Sequence, residues 1–304
     1  MLPRKPNDPP VNHSSNRTRP EHANERPTFP GARAALVVAH PGHELCVHGW
    51  LEAARPAVFL LTDGSGRSGK SRVDSTTKIV AAAGARAGSI YGRFADSEVY
   101  AALLRREDSL FARCAEELAE ALVRERIDYI AGDAVEGFNP VHDACRLVVN
   151  AAVALANRVG AHIENFDFTL IGRQDACPPV LLEESLWLRL DDEAFGRKLS
   201  AMRAYPELAD EVHAGLDGER QKFLREYGDL FDDLKPILEG LGAEAFRVEC
   251  LRPAGRARLD SDFSARAPFY ERYAEKLVEQ GRYDSVIRYG EHLRPLSEAL
   301  ERML

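Results

Sequence analysis

The stretch AHPGHELCVH, residues 39–48, sets His40 and His43 three residues apart directly after the apolar run RAALVV. A third histidine, His142 in FNPVHDA, follows another short apolar run, DYIAGD, far downstream. Imidazole is a good ligand for zinc, and three protein ligands plus a water is the common arrangement of a catalytic zinc site. Iron and nickel also accept three-histidine ligation. His40, His43 and His142 are therefore the candidate metal ligands. The competing reading is that each histidine only hydrogen-bonds nearby backbone.

The three positions share a context. RAALVVAH, AVFLLTDG, GSIYGRFAD, DYIAGD and ENFDFTLI read as strands, the first an uninterrupted apolar run suited to a sheet buried on both faces. HELCVHGWLEAAR, KIVAAAGA, DSLFARCAEELAEALVRERI and VHDACRLVVNAAVALANRVG read as the helices between them. Strand, loop and helix in this order predict an α/β fold, Rossmann-like and doubly wound, with a mostly parallel sheet and a helical, aromatic-rich C-terminal extension. Active-site groups in such sheets collect beyond the carboxyl ends of the strands. VVAH, LLTDG and the segment from YIAGD to NPVH are thus expected at one edge. Residues 1–32, proline-rich and without apolar periodicity, are expected to form a flexible leader, residues 33–250 the main domain, and residues 251–304 an extension or lid. Residues 181 to about 240 read as mostly helical, EAFRVECLRP as extended and SVIRYGEH as strand-like.

Composition narrows the function. The 304 residues are 45% hydrophobic and 29% charged, ordinary for a soluble protein, and the net charge is −8. With no strong Lys/Arg cluster, no nucleic-acid partner is expected. Neither a membrane span nor a signal peptide is expected. The five cysteines are scattered without a CxxC pair, which suits a reducing cytoplasm and gives no thiolate zinc site. A small-molecule substrate is the expected partner.

VVAHPGHE resembles the first motif, AHPDDE, of the LmbE/PIG-L family of zinc-dependent N-acetylglucosaminyl deacetylases, and FNPVHDA resembles its second, HPDH. LLTDGSG, KLSAMRAYPEL and LGAEAFRVE are similar to later parts of that domain, so the resemblance spans residues 33–250. It implies zinc held by His40, His43 and His142, with His43 standing where the family has a ligating aspartate. The implied activity is N-deacetylation of an amino sugar or related metabolite by metal-activated water. Two positions depart from the pattern. Gly42 replaces the aspartate that acts as general base, and Asn139 replaces the histidine that polarises the carbonyl. An amide donates a hydrogen bond but cannot act as an imidazolium acid.

Other groups are candidates for the missing proton transfer. Glu44 and Asp143 adjoin proposed ligands, Asp63 ends a strand, and His292 in YDSVIRYGEHL offers an acid/base group from the extension. Arg67 and Arg288 are candidates for binding substrate. GSGRSGKS, residues 64–71, also matches the phosphate-binding pattern GxxxxGK[ST], although the apolar helical period begins only near Ile79. Four readings follow: a metal-dependent amidohydrolase, another metal-dependent hydrolase or lyase, a noncatalytic metabolite-binding or assembly protein on the same scaffold, and a nucleotide-dependent enzyme.

Overall fold

The computed structural model describes residues 32–216, 241–254 and 267–304, and the expected leader lies outside them. Its centre is a seven-stranded sheet. In chain order the strands are β1 (Ala34–Val38), β2 (Ala57–Thr62), β3 (Arg86–Phe94), β4 (Tyr129–Asp133), β5 (Glu164–Phe168), β6 (Leu186–Arg189) and β7 (Val248–Pro253). Their order across the sheet is β3-β2-β1-β4-β5-β7-β6. The first five are parallel, and β7 runs antiparallel to both β5 and β6. The expected mostly parallel, Rossmann-like sheet is present, with the crossover between β1 and β4 at its centre.

Continuous apolar runs form the central strands because both sheet faces are covered. Ala35, Val37, Phe59 and Leu61 pack on one face with α3 (Asp96–Arg105), α4 (Asp108–Arg124) and α5 (Pro140–Arg158). Leu36, Val38, Val58 and Leu60 pack on the other with Trp50 and Leu51 of α1 (His48–Ala54). Alternation with period two thus feeds two separate cores from the same strands. Beyond the second core lie α2 (Val73–Ala82), α6 (Asp192–Arg203) and α7 (Ala209–Leu216), where Leu45, Met202, Tyr205 and Val212 cluster.

The chain after residue 266 forms α8 (Phe269–Glu279) and α9 (Arg294–Glu301). Ile287, Leu293, Leu296 and Leu300 sit in the same core as α4 and α5. Phe269 stacks on Phe138, ring centres 5.0 Å apart, and on Tyr273 at 5.8 Å. Leu251, where the extension was expected to begin, lies inside β7.

Several local expectations are corrected. HELCVHGWLEAAR is not one helix: a 3-10 turn, His43–Val47, precedes α1. SVIRYGEH is not a strand. It ends in a single π-helical turn, Tyr289–Leu293, drawn inward by Leu293, which is wholly buried, and continuing into α9. β6 lies in a stretch read as helical, and α3 was not anticipated. α2 begins at Val73 rather than near Ile79, its start hidden because the one buried residue of its first turn, Thr76, is polar.

Candidate functional site

The three histidines converge at the carboxyl edge of the sheet. His40 leaves β1, His43 opens the 3-10 turn after it, and His142 lies in the first turn of α5. That turn starts where it does because Asn139 caps it, its Oδ1 accepting from the Val141 amide at 2.8 Å, with Pro140 in the first helical position. The ring centres are 5.3 Å apart for His40 and His43, 5.0 Å for His40 and His142, and 4.6 Å for His43 and His142.

Two of the rings have a defined tautomer. His40 Nδ1 lies 2.8 Å from Thr62 Oγ1 and 3.0 Å from Asp96 Oδ1. The Thr62 hydroxyl donates to the Ala39 carbonyl, so both neighbours act as acceptors and Nδ1 carries the proton. His43 Nδ1 lies 3.0 Å from Asp133 Oδ2, a buried carboxylate that also accepts from the Ala39 amide at 2.7 Å. The lone pair of each ring therefore sits on Nε2, the state in which imidazole binds a metal. His142 Nδ1 is buried and has no hydrogen-bond partner.

Electrostatics point the same way. Burial pushes His40 below its ordinary value against the opposing effect of Asp96, and burial together with the other two imidazoles pushes His142 well below. Both rings stay neutral at pH 7. Burial raises the Asp96 carboxyl, but the His40 ring and the Gly66 amide outweigh it and hold the group well below the usual carboxylate range.

The donor set suits a divalent metal. Three imidazoles bound tetrahedrally at ~2.0–2.1 Å would place their ring centres about 5 Å apart, the spacing seen. Carboxylates on the far nitrogens are the usual support for such ligands. Among the described residues, however, no group of three or more His, Cys, Asp or Glu side chains stands arranged to hold an ion. The ring spacing fits, while the donor atoms are not in the arrangement of a formed site.

Gly42 is held open by its surroundings. Its φ is +105°, and a Cβ built there would come within 2.4 Å of Leu208 Cδ1. Leu208 thus fills the space that a side chain at residue 42 would need. Glu44, fully buried, accepts from the Gly42 amide at 2.8 Å and from the Thr76 hydroxyl at 2.7 Å. Burial raises its carboxyl, and both of its oxygens bind groups that shape the turn. Tyr205 adds its hydroxyl 3.0 Å from Thr76 Oγ1.

The remaining candidates are dispersed. Asp63 accepts from the Ser65 amide at 2.9 Å, stabilising its own loop. Asp143 is buried and accepts from the Glu136 and Gly137 amides at 3.2 and 3.3 Å; burial pushes its carboxyl up to about 7, and its Oδ2 has no hydrogen-bond partner. Asn139 Oδ1 also accepts from the Tyr100 hydroxyl at 3.2 Å, leaving the amide NH2 as its donor end. His292 Nδ1 accepts from the Arg288 amide at 2.9 Å within its own π-helical turn. Arg288 pairs with Glu275 at 2.6 Å. Neither His292 nor Arg288 has a recorded contact with the three histidines. Arg67 lies in the 3-10 turn Gly66–Ser68, and its side chain is outside what the structure describes.

The loop matching the phosphate-binding pattern does run from a strand to a helix, since α2 starts two residues after Ser71. Two of its amides are already occupied by carboxylates, Ser65 by Asp63 and Gly66 by Asp96 at 2.7 Å. An anion cradle needs such amides open.

Asp96, Asp133 and Thr62 were not singled out from the sequence, although each ends a strand or begins the next helix, the context that identified the histidines. Leu208 had no sequence signal.

No protein-family model matches the sequence, and no curated protein matches it. Several solved structures match the chain, among them the three that follow. The A40926 pseudoaglycone deacetylase Dbv21 shares 18% identity, over 75% of this chain and 99% of its own, with a TM-score of 0.46. The zinc-inhibited form of teicoplanin deacetylase Orf2 shares 13%, over 73% and 97%, with a TM-score of 0.46. The conserved protein TT1542 from Thermus thermophilus shares 18%, over 76% and 99%, with a TM-score of 0.42. Among the described residues, no helix is long and apolar enough to cross a membrane.

Proposed function

We propose that this protein is a metal-dependent amidohydrolase acting on an N-acylated small molecule, of which an acetylated amino sugar is the leading example. The observation that carries this reading is the convergence of three imidazoles whose ring centres lie 4.6–5.3 Å apart, two of them backed by buried carboxylates. His40 and His43 would hold the ion through Nε2, and His142 would complete the set. Three imidazoles suit zinc. When bound, it would acidify a water and polarise an amide carbonyl.

The chain's own residues supply the rest. Asp96 and Asp133 fix the ring orientations and keep the Nδ1 protons in place. The Asn139 NH2 is the donor available for a developing oxyanion at the start of α5. Residue 42 contributes no base, because it has no side chain and Leu208 fills the space for one. Glu44 is committed to the turn, so it supports the site instead of reacting in it.

A second reading, a metabolite-binding protein on the same scaffold, is favoured by the Gly42–Leu208 packing. The two readings separate experimentally. Elemental analysis of protein purified without added metal should give about one zinc per chain, falling about 10-fold or more in His43→Ala. A panel of N-acetyl sugars with detection of released amine would then show turnover. Metal without turnover on any N-acyl substrate overturns the amidohydrolase reading. No metal after zinc reconstitution sinks the amidohydrolase and leaves the binding protein.

A further inference from the structure

A cluster of nucleophilic side chains lies outside the histidine site. All five cysteines are free, and Cys177 and Cys250 are brought to one place by the β6–β7 ladder: Cys177 Sγ adjoins Ser185, and Cys250 faces Trp187, two residues further along. Cys250 is buried on β7, where it pairs with Trp187 of β6. Cys177 is half-buried in the connection between β5 and β6, its Sγ 3.4 Å from Ser185 Oγ. Arg252, two residues along β7, donates to the Ala176 carbonyl at 3.3 Å and pairs with Asp167 at 2.7 Å. A guanidinium is therefore held at the residue before Cys177 and two residues from Cys250 along β7, although Asp167 partly offsets its charge.

We propose that Cys177 and Cys250 form a hydroperoxide-responsive dithiol, Cys177 being the attacking and Cys250 the resolving thiol. The placement assigns these roles: Cys177 is half-buried and open to solvent, whereas Cys250 is buried at 1% exposure. Cys250, Ser185 and Arg252 together outweigh burial and hold the Cys177 thiol below its ordinary value, while Cys177 and burial raise Cys250.

The chemistry balances with a hydroperoxide as the oxidant. The Cys177 thiolate attacks one peroxide oxygen, the O–O bond breaks, and the leaving oxygen takes a proton from water. Cys177 is then a sulfenic acid. The Cys250 sulfur attacks the Cys177 sulfur, the S–O bond breaks, and hydroxide departs with the Cys250 proton as water. Two thiols lose two electrons to one peroxide, and the new bond joins the β5–β6 connection to β7. This dithiol is independent of any metal at the histidines.

The other three cysteines are internal references. Burial raises Cys46 to about 12, Cys114 to about 11, and Cys145 well above its ordinary value. Full-length protein would be exposed to hydrogen peroxide, quenched with N-ethylmaleimide and mapped by mass spectrometry without reduction. The expected result is loss of the Cys177 and Cys250 thiols together, in one cross-linked peptide pair. Their loss should be about tenfold faster than at the references and fully reversed by dithiothreitol. In Cys250→Ser, dimedone should trap a sulfenic acid at Cys177. Cross-links to other cysteines would overturn the proposal, as would five thiols reacting at one common rate. So would unchanged Cys250 oxidation in Cys177→Ser.

Discussion

Lys198 is a residue whose loss the structure makes costly. Its side chain is 0% exposed, yet it carries a cation. Nζ donates to Glu249 Oε1 at 2.9 Å, to the Cys46 carbonyl at 2.9 Å and to Gln174 Oε1 at 2.5 Å, which uses all three of its protons. Lys198→Met keeps most of the volume and removes the charge and the donors. Removing one partner of a buried ion pair costs about 3–5 kcal/mol, because the other charge is stranded. Glu249 retains the Gly49 and Trp50 amides at 2.8 and 2.7 Å, which limits that cost. The Cys46 carbonyl, fixed in a short helical turn, adds to it. We expect about 4 kcal/mol in all. Denaturant unfolding of the wild type, Lys198→Met, Glu249→Gln and the double variant would measure it. Neutralising Glu249 in the Lys198→Met background should recover about 2 kcal/mol as a coupling energy. A Lys198→Met protein within about 1 kcal/mol of wild type, or strictly additive variants, would refute the reasoning.

Two further outcomes are expected. Gly42→Ala should destabilise by about 2 kcal/mol, from the positive φ and the clash with Leu208, and Leu208→Ala should relieve part of that loss in a double variant; thermal melts check both. Burial pushes Glu136 up to about 8, against the Leu170 and Ile171 amides that bond it. A carboxyl that keeps its proton in the fold and loses it in the unfolded chain makes stability fall as pH rises. Between roughly pH 4.5 and 8 this group should contribute a decline of at most about 1.4 kcal/mol per pH unit. Glu136→Gln should flatten that decline in melts taken across the range, and an unchanged profile would remove Glu136 as its source.

The parts of the molecule legible in the sequence are those where one physical demand dominates. AALVV and AVFLLT read as strands because a sheet covered on both faces needs no polar alternation. DSLFARCAEELAEALVR reads as a helix because only one of its faces is buried. β6, LWLR, escaped because a half-buried edge strand of four residues carries too little pattern. VDSTTK hid the start of α2, its one inward residue, Thr76, being polar. The histidines were legible from their places at strand ends. Their carboxylate partners come from other strands and helices, and that pairing is a tertiary fact. Nothing in AHPGHE says that a leucine 166 positions later occupies the space over Gly42.

The cap on α1 has a consequence for the order in which the protein is assembled during synthesis. Glu249 receives the amides of Gly49 and Trp50, two hundred residues earlier in the chain. A ribosome making this protein releases β1 through β5, and with them all three histidines, well before it reaches β7. The parallel core can condense at that point, since domains fold as their segments emerge. The Cys46 carbonyl in the turn bearing His43, and the first amides of α1, gain these partners only when Lys198 and Glu249 have both arrived. A chain stalled between α5 and β7 would hold the three imidazoles on a nearly complete sheet with the amides at the start of α1 unclaimed.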